Sequence, residues 1–259
     1  MTAVRITTVS ASLSPEVWAP KTAMVLAAGL GLRMRPLTLE RPKPLLPVMG
    51  RSMLDHALDR LEAVGVGRAV VNAHYKGAMV ADHLKNRARP AITISHEDTP
   101  LETGGGVKKA LPLLGDDPIF VVNADIVWLD GLTPALYRLA SAWDPSRMDA
   151  LLLLMSTTKS VGYDGSGDFQ MDPLGRLTRR AEGRVAPFVF AGVQIIKPGL
   201  FRDTPDGPFS TNLVWDRAMA AERLHGIAHD GAWFHVGTPE ALEETNALLA
   251  AGKARWVEP

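Results

Sequence analysis

The chain has 259 residues, of which 46% are hydrophobic, enough to build one large α/β domain or two small ones around a sizeable core. It carries 28 Lys and Arg residues and 28 Asp and Glu residues, so its zero net charge predicts no general attraction to nucleic acid or to a membrane. The absence of cysteine excludes disulfides, thiolate nucleophiles and cysteine-based zinc sites, and it favours a reducing, cytoplasmic location.

Regular structure is predicted to begin close to residue 21. Residues 1–20 hold scattered apolar positions without a compact apolar stretch and cleavage site, so we predict a flexible tail and no signal peptide. No apolar run in the chain approaches the roughly 18–20 residues that a membrane-spanning helix requires.

From residue 22 to residue 156, predicted strands alternate with predicted helices. The strands are 22–28, 68–73, 91–95, 118–122 and 149–156, and the helices are 52–65, 77–86, 104–114 and 133–143. This alternation is typical of an α/β fold with a doubly wound, mostly parallel sheet. Later segments are shorter, and we predict a small subdomain laid over the carboxyl edge of the sheet, with strands at 168–171, 176–180 and 187–197 and helices at 210–223 and 239–251.

Two predicted loops follow core strands, at 29–47 and 123–130. Because open α/β sheets bind ligands beyond the carboxyl ends of their strands, we expect a site between these two loops.

The first loop contains the residue types of a phosphate-binding segment. Gly29 and Gly31 let the backbone bring N–H groups close to anionic oxygens. Arg33 offers a planar fork of donors, and Lys43 offers a compact charge that flanking prolines hold in place.

Two commoner phosphate motifs do not match this loop. A P-loop requires Gly-Lys followed by Ser or Thr, whereas Gly31 is followed by Leu32 and Arg33. A dinucleotide fingerprint requires a third glycine where Met34 stands.

The loop closely resembles the signature of the sugar-1-phosphate nucleotidylyltransferases, which reads Leu-Ala-Ala-Gly, a further Gly, Arg, Pro-Leu-Thr and Pro-Lys-Pro-Leu. The resemblance extends from residue 22 to about residue 251. It implies a Rossmann-like, glycosyltransferase-A-like nucleotidyltransferase fold in which 21–251 form one domain. Residues 21–156 would be the nucleotide-binding half and 157–251 the small sugar-binding half.

The resemblance also implies roles for single residues. Arg33 would hold the β- and γ-phosphates, and Lys43 would bridge the α-phosphate and the sugar phosphate, so these two are the expected catalytic residues. Asp125 would hold Mg²⁺, while His235 stands where the family has a second metal-binding aspartate. Because Mg²⁺ prefers oxygen ligands, metal ligation by His235 and a role as a hydrogen-bonded pocket residue both stay open. The implied nucleotide contacts are Leu26, Ala27, Ala28, Gly29, Gly31, Glu102, Thr103, Gly104 and Gly105, and the implied sugar contacts are Asn123, Gly167, Asp168, Gly192 and Asn212.

The implied reaction belongs to the EC 2.7.7 class: a sugar 1-phosphate attacks a nucleoside triphosphate and pyrophosphate leaves. The Leu-Glu-Thr-Gly-Gly-Gly run at 101–106 and Trp-Asp-Arg-Ala at 215–218 resemble most the N-acetylmuramic acid 1-phosphate uridylyltransferases of bacterial cell-wall recycling. UTP and N-acetylmuramic acid 1-phosphate are therefore the expected substrates, without a nucleic-acid or membrane partner. The resemblance allows a homo-oligomer.

Several alternatives remain open at this point. Mannose-1-phosphate guanylyltransferases and glucose-1-phosphate thymidylyl- or uridylyltransferases share the same motifs, and a cytidylyltransferase that makes an alcohol-linked nucleotide would share the fold. A non-catalytic regulatory relative is disfavoured because Arg33, Lys43 and Asp125 are all intact.

Overall fold

A nine-stranded sheet forms the centre of the computed structural model, which describes residues 18–252. The strands are β1 (Thr22–Leu26), β2 (Pro47–Val48), β3 (Arg51–Ser52), β4 (Arg68–Ala73), β5 (Ala91–His96), β6 (Ile119–Asn123), β7 (Ile126–Leu129), β8 (Ala150–Ser156), β9 (Phe169–Met171), β10 (Leu177–Arg179), β11 (Phe188–Ile196), β12 (Leu224–Ala228) and β13 (Ala232–His235). The helices are α1 (Leu37–Glu40), α2 (Met53–Ala63), α3 (Gly77–Leu84), α4 (Glu102–Leu114), α5 (Ala135–Ala142), α6 (Asn212–Ala220) and α7 (Pro239–Ala250).

The sheet is mostly parallel, which confirms the predicted α/β fold. Its order is β10-β9-β11-β6-β1-β4-β5, with β8 pairing β11 and β12. The pairings give β1, β4, β5, β6, β8, β9 and β12 one direction, and β10 and β11 the other. The strands of the second half therefore join the central sheet and extend it beyond β6.

Helices cover both faces of the sheet, which explains why its central strands are apolar throughout. On β1, Val25 packs into a core with Leu54 and Leu58 of α2. The neighbouring Met24 faces the opposite way and packs with Val107 of α4. Burial of each such side chain contributes about 1.5–3 kcal/mol to stability. Because successive side chains of β1 point to opposite faces, this burial attaches helices to both faces of the sheet.

The predicted loop at 123–130 is wrong in its second part. Residues 126–129 form β7, which pairs antiparallel with β13 far along the chain, and Trp128 lies opposite Trp233. Both indoles are almost completely buried, so the ribbon is stabilised by apolar contacts. Only Ala124 and Asp125 remain between β6 and β7, which fixes this carboxylate in a two-residue connection.

The predicted tail lies mostly outside the described residues, which begin at Trp18. Trp18 stacks on Trp143 with ring centroids 6.3 Å apart, and Ala19 is buried. Within residues 18–252, none of the helices has both the length and the apolar character that crossing a bilayer requires.

His229 links the β7–β13 ribbon to the core, and we expect it to make stability depend on pH. Its Nε2–H donates to the carbonyls of Leu129 and Ala232, at 3.0 and 3.3 Å, while its buried Nδ1 has no hydrogen-bond partner among residues 18–252. Burial lowers the pKa of His229 below its usual value. A proton that the unfolded chain takes up below about pH 6.5 is therefore disfavoured in the folded protein, and stability is lost as pH falls through that value.

The change His229→Gln keeps a donor near the Nε2 position and removes the titration. We expect its unfolding free energy in urea to fall less than that of the unsubstituted protein between pH 7 and pH 5, by on the order of 1 kcal/mol. His96→Gln at an exposed position is the matched control. Equal pH slopes for His229→Gln and the unsubstituted protein would contradict this assignment.

Candidate active site

The glycine-rich loop after β1 folds back on itself at Gly31. This residue has a left-handed backbone, with φ of 62°, and an added Cβ would lie 2.9 Å from the Thr38 side chain and 3.2 Å from the Lys43 Cβ. The Thr38 hydroxyl donates to the Gly31 carbonyl at 2.9 Å and holds the bend closed. Glycine is needed here both for its backbone conformation and for this close approach.

The bend brings Lys43 to the carboxyl end of β6. Lys43 is 7% exposed, and its Nζ lies 2.8 Å from Oδ2 of Asp125, whose own side chain is 40% exposed. The Ala124 N–H donates to the Leu26 carbonyl at 3.0 Å, so the ends of β1 and β6 are tied directly beside this ion pair. The pairing compensates for burial of the ammonium group and leaves one face of the carboxylate open.

A cavity of about 570 Å³ lies against the loop, and Arg33, Lys43 and Asp125 all line it. Most of its wall comes from the segments that follow β1, β5 and β6, and Asn72 of β4 and Gly237 after β13 complete it. The sequence-predicted residues that line it are Leu26, Ala27, Ala28, Gly29, Gly31, Arg33, Lys43, Glu102, Thr103, Asn123 and Asp125.

Gly104 and Gly105 do not line this cavity, and as nucleotide contacts they stay predictions. Their N–H groups donate to the Phe209 carbonyl at 2.8 and 3.1 Å. An added Cβ at Gly104 would collide with Phe209, and one at Gly105 would collide with the Gly207 carbonyl. These two glycines therefore allow the 207–211 segment to pack against the start of α4.

Asn72 and Glu97 line the same cavity and were missed by sequence reasoning. The Asn72 amide donates to a Glu97 carboxylate oxygen at 2.7 Å, and both side chains are buried. The sequence did contain a signal for these two residues, namely a polar residue within the apolar run of β4 and an acidic residue directly after β5.

His235 lies at the end of β13, paired with Ile126 and therefore beside Asp125. Its ring stacks on Trp233, with centroids 5.9 Å apart, and meets Tyr163 edge-on at 6.2 Å. Burial, and after it the Lys43 charge, lowers the pKa of His235, which favours its neutral imidazole. Within residues 18–252 no group of three His, Cys, Asp or Glu residues could hold a metal.

The absence of a side chain at Gly237 leaves space between His235 and the glycine-rich loop. Gly237 lines the cavity, and an added Cβ there would lie 2.9 Å from the His235 Nε2 and 3.8 Å from the Arg33 Nη1. The imidazole and the guanidinium therefore approach the same backbone position from two sides.

Of the predicted sugar contacts, only Asn123 lines the described cavity. Asp168 accepts the Phe190 N–H at 2.8 Å, and Gly167 donates to the Tyr163 hydroxyl at 3.0 Å. A Cβ at Gly192 would lie 3.3 Å from the Asn123 Cβ, whereas Asn212 is exposed at the start of α6. Gly167, Asp168, Gly192 and Asn212 therefore stay predictions as sugar contacts.

Comparison with known proteins agrees with this geometry. The nucleotidyl transferase family pattern matches residues 22–163. The chain is 49% identical over 237 residues to an N-acetylmuramate alpha-1-phosphate uridylyltransferase of Caulobacter vibrioides, covering 90% of this chain and 98% of that protein. An enzyme of the same name from Neisseria meningitidis serogroup B is 35% identical, over 89% of this chain and 99% of the relative.

A solved UDP-glucose pyrophosphorylase in complex with UDP-glucose shares the fold. It superposes with a TM-score of 0.74 at 16% sequence identity, and the match covers 91% of this chain and 99% of the other. Together with the matched pattern and the two relatives, this places the chain in the nucleotidyl transferase family, among the sugar-1-phosphate nucleotidyltransferases.

Proposed function

We propose that this nucleotidyltransferase transfers the uridylyl group of UTP to N-acetylmuramic acid 1-phosphate and releases pyrophosphate. The observation that carries the proposal is the convergence of Arg33, Lys43 and Asp125 on one cavity beyond the carboxyl ends of β1 and β6. The choice of sugar and base is supported by the two relatives, which the chain matches over nearly their whole lengths.

Positioning and charge neutralisation are sufficient for the chemistry. The second pKa of a phosphate monoester is about 6, so the attacking sugar phosphate is already ionised at neutral pH and needs no general base. Its oxygen attacks the α-phosphorus in line, and the bond to the β-phosphate oxygen breaks with departure of pyrophosphate. Arg33 neutralises the β- and γ-phosphates, and Lys43 holds the α-phosphate and the sugar phosphate together.

Nucleotidyl transferases typically use a divalent metal, and we propose Mg²⁺ here. The donor set fits, because Asp125 offers a partly exposed carboxylate and Mg²⁺ is commonly held by one or two carboxylates together with substrate phosphates. When bound, the metal neutralises charge on the phosphate oxygens. His235 contributes a neutral ring beside Asp125, and we assign it to the metal's surroundings.

Loss of either loop cation should slow the reaction. We expect Lys43→Ala and Arg33→Ala to reduce kcat about 10²–10³-fold, as does loss of one preorganised donor to the transition state. Pyrophosphate release at saturating substrates measures the effect, and Lys85→Ala, in an exposed ion pair with Asp82, is the control. Activity of Lys43→Ala equal to that of the control would contradict the assigned role.

Asp125 should govern the metal requirement. Asp125→Asn removes the anionic ligand, so we expect the Mg²⁺ concentration for half-maximal activity to rise at least about tenfold. The control is Asp164→Asn, which removes an exposed carboxylate that acts electrostatically on His235. If both variants need the same Mg²⁺ concentration as the unsubstituted enzyme, Asp125 is not a ligand.

Substrate identity can be read from a matrix of nucleotides and sugar phosphates. We expect pyrophosphate release to be highest with UTP and N-acetylmuramic acid 1-phosphate. Preference for GTP with mannose 1-phosphate, for dTTP or UTP with glucose 1-phosphate, or for CTP with an alcohol phosphate would each replace this proposal. A lack of turnover with every pair would favour a non-catalytic regulatory role.

A further inference from the structure

We propose that Asn72 and Glu97 form a positioning pair that sets the separation of the two loops around the nucleotide. The inference rests on the proposed function in so far as this cavity binds the nucleotide. The pair acts through a directed chain of hydrogen bonds between the loop after β1 and the loop after β5. The pair affects catalysis through the way in which the nucleotide fits the cavity, because neither side chain is among the residues assigned to the phosphates.

The chain of hydrogen bonds has a backbone donor at each end. The Ala27 N–H donates to Oδ1 of Asn72 at 2.7 Å. Nδ2 of Asn72 donates to Oε1 of Glu97 at 2.7 Å, and the Leu101 N–H donates to Oε2 of Glu97 at 3.1 Å. Asn72 is 2% exposed and Glu97 is 5% exposed, so the chain is shielded from water.

Because both ends of this chain are backbone N–H donors, the numbers of hydrogen-bond donors and acceptors on the two side chains between them are restricted. One of the two side chains must accept two hydrogen bonds, and the other must accept one hydrogen bond and donate one. An amide and a carboxylate meet this rule in either order. Two amides leave two donors facing each other, and two carboxylates leave two acceptors facing each other, which is costly when buried.

The surroundings indicate that Glu97 is buried for this hydrogen-bonding role. Within residues 18–252, no Lys or Arg forms an ion pair with Glu97, and its hydrogen-bond donors are the Asn72 amide and the Leu101 N–H. Burying a carboxylate without a cation is unfavourable unless strong donors compensate. The pair also lies against Gly106, where an added Cβ would come within 2.8 Å of Asn72 and 2.9 Å of Glu97.

Both of the loops that the pair joins contribute to the cavity wall. Ala27 belongs to the glycine-rich loop, and Leu101 precedes Glu102 and Thr103 at the start of α4. Lys43 and Asp125 are held by their own ion pair. Breaking the Asn72–Glu97 chain should therefore weaken nucleotide binding more than it weakens the chemical step at saturation.

Two single substitutions test the rule by breaking it in opposite ways. Asn72→Asp creates facing carboxylates, and Glu97→Gln creates facing amides. We expect each to raise KM for UTP about 10- to 100-fold, in line with the cost of an unsatisfied buried polar group, while kcat changes less than about threefold.

The double variant, Asn72→Asp with Glu97→Gln, reverses the chain and satisfies it again. Asp at position 72 accepts from the Ala27 N–H and from Gln at position 97, which in turn accepts from the Leu101 N–H. We expect its KM for UTP to return to within about threefold of the unsubstituted value. A double variant no better than the single ones would overturn the inference. An unchanged KM for UTP in Glu97→Gln would also overturn the inference. A double variant that prefers another base would show instead that Glu97 contacts the base directly.

Amide hydrogen exchange in the nucleotide-free protein separates this inference from the proposed function. The Ala27 and Leu101 amides should lose protection in each single variant and regain it in the double variant, whatever the substrate is. If the unsubstituted protein fails to turn over UTP but this exchange pattern holds, the proposed function fails and the positioning pair stands. Unchanged amide exchange at Ala27 and Leu101 in the single variants would show that Asn72 and Glu97 do not form a positioning pair.

Discussion

The site depends on how the buried polar groups at the carboxyl edge of the sheet are satisfied. Where β1, β4 and β6 end, their backbone groups leave the strand ladder and need new partners, since an unpaired buried group costs about 1–3 kcal/mol. The Leu26 carbonyl accepts the Ala124 N–H, and Asn72 accepts the Ala27 N–H. These bonds between strand ends hold the glycine-rich loop and the Asp125 turn in one place without any ligand.

Charge at the site is local and is balanced within the loops. The chain as a whole has no net charge, so on the proposed function the attraction of a triphosphate would come from Arg33 and Lys43. Lys43 is nearly buried, which would be unfavourable without Asp125 at 2.8 Å. The ion pair thus stabilises a buried cation in the cavity wall, whereas Arg33 is exposed and needs no such partner.

Local sequence patterns predicted the elements well, because the hydrophobic period and the turn residues are local properties. Each strand and helix predicted from them lies within three residues of its observed bounds. What failed depends on distant partners: β7 was missed because its short apolar run becomes a strand only by pairing with β13. Asn72 and Glu97 lie on different strands, 25 residues apart, and no spacing rule brings them together.

The glycines show the same limit within the candidate site. Gly29 and Gly31 were predicted as part of a phosphate-binding bend, and both line the cavity. In the Gly104-Gly105 pair, however, the backbone N–H groups are already bonded to Phe209. A glycine permits close approach to a ligand or to another chain segment, and sequence alone does not say which.

The protein offers few possible metal ligands at the site, and this affects how a metal and the nucleotide would bind there. Asp125 lines the cavity beside Lys43, and one of its oxygens is engaged by that ammonium group. A hard cation such as Mg²⁺ prefers about six oxygen ligands, so most of the ligands of a cation held by Asp125 would come from water and the triphosphate. If the cavity binds the nucleotide as proposed, we therefore expect the cation to enter together with it, so that the two loops would position both.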